Sequence, residues 1–359
     1  VSEETPFRVL ALDGGGIRGV LPALLLQELE RRSGHTIPEL FDLVVGTSTG
    51  GILALALSAP RQGARFTPAD LVKLYETQGG RIFAPWPQTN DAVKLAEDVI
   101  DRVLHIPAPD PHTPGLPLPW TRAILHPKFG GDGIEAALRE VLGAAALADV
   151  KSPHVAVTAY ELETRSLRLL RSWEAATTPS SNFPVWQAAR ATSAAPVFFP
   201  PATITSVDGQ TTVHCVDGGV CVNDPAVLAL SEARRLLRAL GAANRDILVV
   251  SVGTGAPPPS SLPFAPVQAA GLLEWIKHGL MDVLMGSGAF AANFELGELL
   301  ADDRHFRLQP STSGPTWNAN PAMDDWSAGN MAQLEAAANG FIAAESALFE
   351  QVTALLVPA

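Results

Sequence analysis

The chain has 359 residues, 47% of them hydrophobic and 17% charged, with a formal net charge of −12. That composition supplies a large core and argues against disorder, and the acidic balance argues against a nucleic-acid footprint or a strong overall pull toward anionic lipid heads. Its two cysteines, Cys215 and Cys221, form neither a disulfide framework nor a metal-ligand pattern, so a reducing, cytoplasmic setting is expected.

The opening stretch VSEETPFRVLAL carries acids and no basic region before its apolar run, so it does not read as a signal peptide. FRVLAL (7–12) reads as a buried strand bounded by glycines. Helical spacing follows, with Leu21, Leu24, Leu25 and Leu29 on one side, Pro22 in the first turn and Gly34 as the stop. FDLVV (41–45) is a second apolar strand, followed by GTSTGG and the helix-prone ILALALSA. The uncharged run 43–60 is long enough to raise a membrane span, but its cluster of Gly, Ser and Thr fits strand, turn and helix better. The alternation predicts an α/β fold with a largely parallel sheet covered by helices.

Residues 79–130 hold many prolines, including IPAPDPHTPGLPLPW, and are expected to form a surface excursion or lid of the same domain. Strand-like runs return at 155–159, 167–170 and 213–216. A helix is expected over 224–240 and a strand at 247–252. A second loose stretch, APPPSSLPFAPVQ, precedes an Ala- and Leu-rich helical third with a last strand at 305–308. The expectation is one domain over 1–359, its motifs in 7–223 and a helical part in 224–359.

DGGGIRG (13–19) lies between a predicted strand and a predicted helix, and Gly14, Gly16 and Gly19 match G-x-G-x-x-G. Glycines allow close backbone approach, and the helix start behind them offers N–H groups and a positive dipole end. Such a loop holds a pyrophosphate, an oxyanion, or nothing beyond a tight turn. A dinucleotide site also wants an acid at the end of the next strand. That strand instead begins at Asp42 and runs into GTSTG, which weakens the cofactor reading.

GTSTG (46–50) is a G-x-S-x-G sequence between a strand and a helix, the context of a nucleophile elbow. Small residues are needed at Gly46 and Gly50 because the serine sits on a strained turn, and the helix start favours negative charge beside Ser48. A serine needs a base. His278 and His305 are the histidines a conventional triad would draw on, yet neither has the loop setting expected of a catalytic histidine. His105, His112 and His126 read as ordinary surface or packing residues.

VHCVDGGV supplies another partner, Asp217, at a strand end ahead of Gly218 and Gly219. The series DGGGIRG, GTSTG and DGG resembles the patatin-like phospholipase family, supported by ARATSAAPVFFPP (189–201), HFRLQP and AMDDWS (322–327). The resemblance implies a three-layer fold and a Ser48–Asp217 dyad without histidine. It also implies an oxyanion hole from the Gly15 and Gly16 N–H groups with Gly14 nearby and Thr49 adding a donor. Arg18 would hold a substrate phosphate or brace the loop, and Asp13 would tie the loop down. Gly19, Gly46, Gly50, Gly218 and Gly219 complete the motifs. The implied reaction is two-step hydrolysis of a phospholipid or other glycerolipid, with no metal or organic cofactor and peripheral membrane contact. Trp86, Trp120 and Phe264 are candidates for an apolar acyl channel. Bacterial relatives activated by cyclic nucleotides in antiviral signalling, and a homodimer, are carried as alternatives, as are a nucleotide-binding module, an inert homologue and a Ser-His-Asp hydrolase.

Overall fold

The computed structural model describes residues 5–61, 66–85, 126–255, 268, 280–310, 319–320 and 322–357. Eight strands form one sheet: β1 (Phe7–Leu12), β2 (Leu43–Gly46), β3 (His154–Glu161), β4 (Ser166–Arg171), β5 (Ala202–Thr205), β6 (Thr212–Asp217), β7 (Ile247–Val252) and β8 (His305–Leu308). The order is β5-β6-β3-β2-β1-β7-β8, with β4 pairing β3 outside that path. β2 and β7 are buried at every position, as short apolar runs covered on both faces should be.

The major helices are α1 (Val20–Ser33), α2 (Thr49–Ser58), α3 (Pro68–Ile82), α4 (Gly131–Leu142), α5 (Val185–Thr192), α6 (Ala226–Ala239), α7 (Leu280–Leu299), α8 (Ala328–Ala344) and α9 (Ser346–Leu356). Strand alternation divides the core. Leu10 and Leu12 of β1 pack with α1 to α5, whereas Phe7, Val9 and Ala11 pack with α6 and Leu296 of α7. The result is three layers, helices over both faces of the sheet. All ten residues of α2 are buried, which accounts for the uncharged run at 43–60. α1 stops at Gly34, whose φ of 72° closes the helix in the left-handed region.

The sheet is mixed rather than uniformly parallel. β1, β2, β3, β7 and β8 pair in parallel, while β4, β5 and β6 join antiparallel. The sequence reading misses β5, whose four residues ATIT alternate buried and partly exposed on a short edge strand. It also misses α3, although a Thr67–Asp70 capping box and Pro68 mark its start. The proline-rich stretch from 86 to 125 and residues 256–267 lie outside the described residues. Among the described residues, no helix is long and apolar enough to cross a membrane.

One detail of register positions the site. β4 covers one edge of β3 from Ala156 to Glu161. β2 and β6 must therefore share the other edge. β2 runs along it as far as the Gly46–Val157 pair, and β6 arrives from the opposite direction to end at the Asp217–Ala159 pair. Two strands thus point their C-terminal ends at each other across Thr158.

Candidate active site

Ser48 stands just beyond β2 and caps α2, with φ 54° and ψ −123°. A non-glycine residue at positive φ is strained, and such strain concentrates at functional turns. The turn closes only because its flanks are small: a Cβ on Gly46 would collide with the Gly50 carbonyl, and one on Gly50 with the Leu12 carbonyl. The Ser48 N–H donates to Thr192 Oγ1 at 2.9 Å. Thr47 Oγ1 donates to the Val222 carbonyl at 2.7 Å and lies 2.8 Å from Thr158 Oγ1.

Asp217 closes β6 and is fully buried. Its N–H donates to the Ala194 carbonyl at 3.0 Å, and its Oδ1 accepts from the Gly219 N–H at 2.7 Å. Burial pushes its pKa up to about 7, against the Ser48 hydroxyl, the Gly219 N–H and the Arg190 guanidinium, which all favour the charged form. The Ser48 hydroxyl therefore lies against the carboxylate, although Oδ2 makes no hydrogen bond of ordinary geometry. Gly218 packs on Thr158, where a Cβ would collide with the threonine side chain.

The glycine loop runs beside Ser48. A Cβ on Gly14 would stand 3.2 Å from Ser48 Cβ, and Gly16, at φ 58°, lines the same pocket as Ser48 and Thr49. The N–H groups of Gly15, Gly16 and Thr49 have no acceptor among the described residues. Gly14 departs from the expectation: its N–H donates to the Asn223 carbonyl at 3.0 Å, which removes it from the set of free donors. Its carbonyl is also held, by Thr254 Oγ1 at 2.8 Å. Gly19 lies against Thr49 Oγ1 and the Tyr75 hydroxyl.

Charged residues fix the loop from below. Arg18 Nε donates to the Gly15 carbonyl at 3.4 Å. Arg307 of β8 makes paired hydrogen bonds to both Asp13 oxygens and lies 3.4 Å from Asp224. Burial raises the Asp13 pKa and lifts Asp224 to about 7, with Arg307 opposing both. Asp13 thus anchors the end of β1 to β8, as the sequence suggested.

His305 lies on β8 with Nε2 3.2 Å from Ser251 Oγ, and burial lowers its pKa to about 4. His278, Trp86, Trp120 and Phe264 lie outside the described residues. Among the described residues, no group of three or more His, Cys, Asp or Glu is arranged to hold a metal.

Ser48, Thr49 and Gly16 line a pocket together with Tyr75, Ser193 and Met323. The rest is almost wholly apolar, walled by Ile52, Phe83, Ile134, Leu138 and Phe199 among others. Its apolar lining suits an acyl chain, since apolar walls with a few convergent polar groups are the usual form of ligand sites. Several residues that shape the site escape the sequence reading. Tyr75 hydrogen-bonds Thr49 Oγ1, Thr192 holds the Ser48 backbone, and Arg190 is 2% exposed, donating to the Pro200 carbonyl at 2.7 Å and 3.5 Å from Glu135. Arg190 alone carried a legible signal, a cation in the apolar run ARATSAAPVFFPP.

The signature of the patatin-like phospholipase family matches residues 10–230, more than half of the chain and all three motifs. The chain belongs to that family. The chain is 26% identical over 349 residues to a potato (Solanum tuberosum) protein named "Probable inactive patatin-3-Kuras 1", with 91% of this chain and 83% of that one aligned. It is 27% identical to rice (Oryza sativa subsp. indica) "Patatin-like protein 2" over 84% of this chain and 76% of the other. Among solved structures, VipD from Legionella pneumophila is similar at a TM-score of 0.34 and 15% identity, over 94% of this chain and 67% of VipD. Family membership supports lipid hydrolysis as the general class of activity.

Proposed function

We propose that the chain is a serine acyl hydrolase that cleaves carboxylic esters of glycerolipids, phospholipids foremost, through Ser48 and Asp217. One observation carries this reading: a fully buried carboxylate, lifted to about 7, lies against the hydroxyl of a strained elbow serine that lines an apolar pocket.

An ordinary aspartate is a weak base, and desolvation is what moves its proton affinity toward that needed near neutral pH. Asp217 accepts the Ser48 proton as Oγ bonds to the ester carbonyl carbon. The proton passes to the departing alcohol oxygen as the C–O bond breaks, leaving an acyl-serine. Water then attacks that ester, Asp217 takes its proton, and Ser48 recovers the proton as the fatty acid leaves. The Gly15, Gly16 and Thr49 N–H groups supply the donors for the oxyanion, and each such donor contributes roughly 3–4 kcal/mol to transition-state stability.

Two features count against a nucleotide site at the glycine loop. The N–H groups of Gly14 and Ile17 are spent on the carbonyls of Asn223 and Met323, and the pocket they border is apolar. Hydrolysis of a nitrophenyl ester and of a phospholipid by wild type, Ser48→Ala and Asp217→Asn tests the proposal. A fluorophosphonate should label Ser48 in the wild type and should label Asp217→Asn far more slowly. Undiminished hydrolysis by Ser48→Ala would refute it.

A further inference from the structure

We propose that Asn223 is a further working residue of the reaction: its side-chain oxygen and the open oxygen of Asp217 together seat the water that frees the acyl group from Ser48. This rests on the acyl-serine mechanism above and assigns its second half.

Two buried acceptors around Ser48 have no hydrogen bond of ordinary geometry among the described residues, Asp217 Oδ2, whose carboxylate the Ser48 hydroxyl faces, and Asn223 Oδ1. Buried acceptors left unpaired cost stability, so each such atom calls for an explanation. Both adjoin the nucleophile. Asp217 carries the carboxylate against the Ser48 hydroxyl. Asn223 Oδ1 crowds the side of Gly14 that Ser48 Cβ also faces, close enough that a Cβ on Gly14 would collide with it.

The orientation of the Asn223 amide is set by its other end. Nδ2 points at the Gly14 carbonyl, 3.5 Å away, and a carbonyl can meet only the nitrogen. The oxygen is left on the side of Gly14 that Ser48 Cβ also borders. The backbone around Asn223 is held on both sides, by the Gly14 N–H donating to its carbonyl at 3.0 Å and by Thr47 Oγ1 donating to the Val222 carbonyl at 2.7 Å.

A water molecule has two protons to donate, and two acceptors flank the serine. Donating one proton to each fixes the molecule and leaves its lone pairs free to face an acyl carbonyl on Ser48. As the water oxygen bonds to the acyl carbon, the water proton that faces Asp217 Oδ2 passes to that carboxylate. Asn223, an amide, keeps the second hydrogen bond and takes no proton. The C–Oγ bond then breaks, Asp217 returns the proton to Ser48, and the carboxylic acid departs. Acylation needs no water, so Asn223 matters chiefly to deacylation.

The test compares wild type with Asn223→Ala and Asn223→Ser by rapid mixing with a nitrophenyl ester, fluorophosphonate labelling and intact-protein mass. Both variants should label Ser48 within about threefold of the wild-type rate. They should release one equivalent of nitrophenol in a burst, then turn over at least tenfold more slowly, with the acyl group visible on the protein by mass. Equal slowing of labelling and turnover, or unchanged turnover, overturns the assignment. So does loss of the native far-ultraviolet spectrum in both variants, which would make Asn223 structural. A wild type that neither labels at Ser48 nor hydrolyses esters would instead bring down the underlying mechanism.

Discussion

The hydroxyls of Thr47 and Thr158 share a buried hydrogen bond of 2.8 Å at the point where β2 and β6 end against one edge of β3. Thr47 adjoins the elbow serine, and Thr158 bears on Gly218 beside the carboxylate. A single position of the central strand therefore registers both halves of the site. The separation of serine and carboxylate is set by the pairing of rigid strands rather than by loops.

The acid limb of the pH profile follows from Asp217. As a base it works only when ionised, and burial holds its pKa at about 7. The rate constant kcat/KM should fall tenfold per unit below that value and level off above it. Asp217→Asn should lose roughly 10²–10⁴-fold, the usual worth of a positioned base. His305→Ala should stay within about threefold of wild type, because its imidazole faces Ser251. A large loss in that variant would restore a histidine triad.

The same residue should weaken the fold at alkaline pH. Its folded pKa of about 7 exceeds the ordinary 3.8, so the native state binds more protons than the unfolded chain between those values. The contribution is fully present below the unfolded value and is lost as pH rises through 7, at about 1.4 kcal/mol per unit. Asp217→Asn removes this dependence. Urea unfolding should find the variant more stable than wild type at pH 8, by about 3–4 kcal/mol, with the gap narrowing to about 1–2 kcal/mol at pH 5 and closing only below the ordinary carboxyl value. A destabilised variant at pH 8 would contradict the burial argument.

Tyr75→Phe removes the hydroxyl that pairs with Thr49 Oγ1. Thr49 begins α2 and offers one of the free N–H groups. The loss should cost about 1–2 kcal/mol of stability and lower kcat several-fold more than it raises KM. A change confined to KM would mean that Tyr75 serves only as pocket wall.

Arg307→Met leaves Asp13 and Asp224 buried without their shared cation. Breaking such a pair costs about 3–5 kcal/mol. The loss should shrink in acid, as both carboxyls, raised by burial, take up protons. Thermal melts at pH 5 and pH 8 measure the difference.

The three motifs were legible in the sequence because each solves a local problem: two tight turns that admit only small residues, and a strand end that releases a carboxylate. The strands β1, β7 and β8 and the helix α1 were legible from apolar pattern and stop signals alone. On the antiparallel side β4 and β6 were legible as strands but their direction was not, and β5 was missed, since it is four residues at an edge and its pairing depends on partners elsewhere. Gly14 shows a second limit. Whether its N–H is free depends on Asn223, 209 residues further along, and no local pattern carries that information. Thr192 and Tyr75 escaped for the same reason, as ordinary residues on helices until packing sets them against the elbow.

The head-on meeting of β2 and β6 makes catalysis a report on the whole sheet. Neither strand pairs with the other; each reads its position from β3, and β3 is held in turn by β4. A chain returning from denaturant should regain ester hydrolysis in its slowest phase, after helix content and bulk burial have recovered. A fragment lacking any one of these three partners would keep its serine or its carboxylate but could not bring them together.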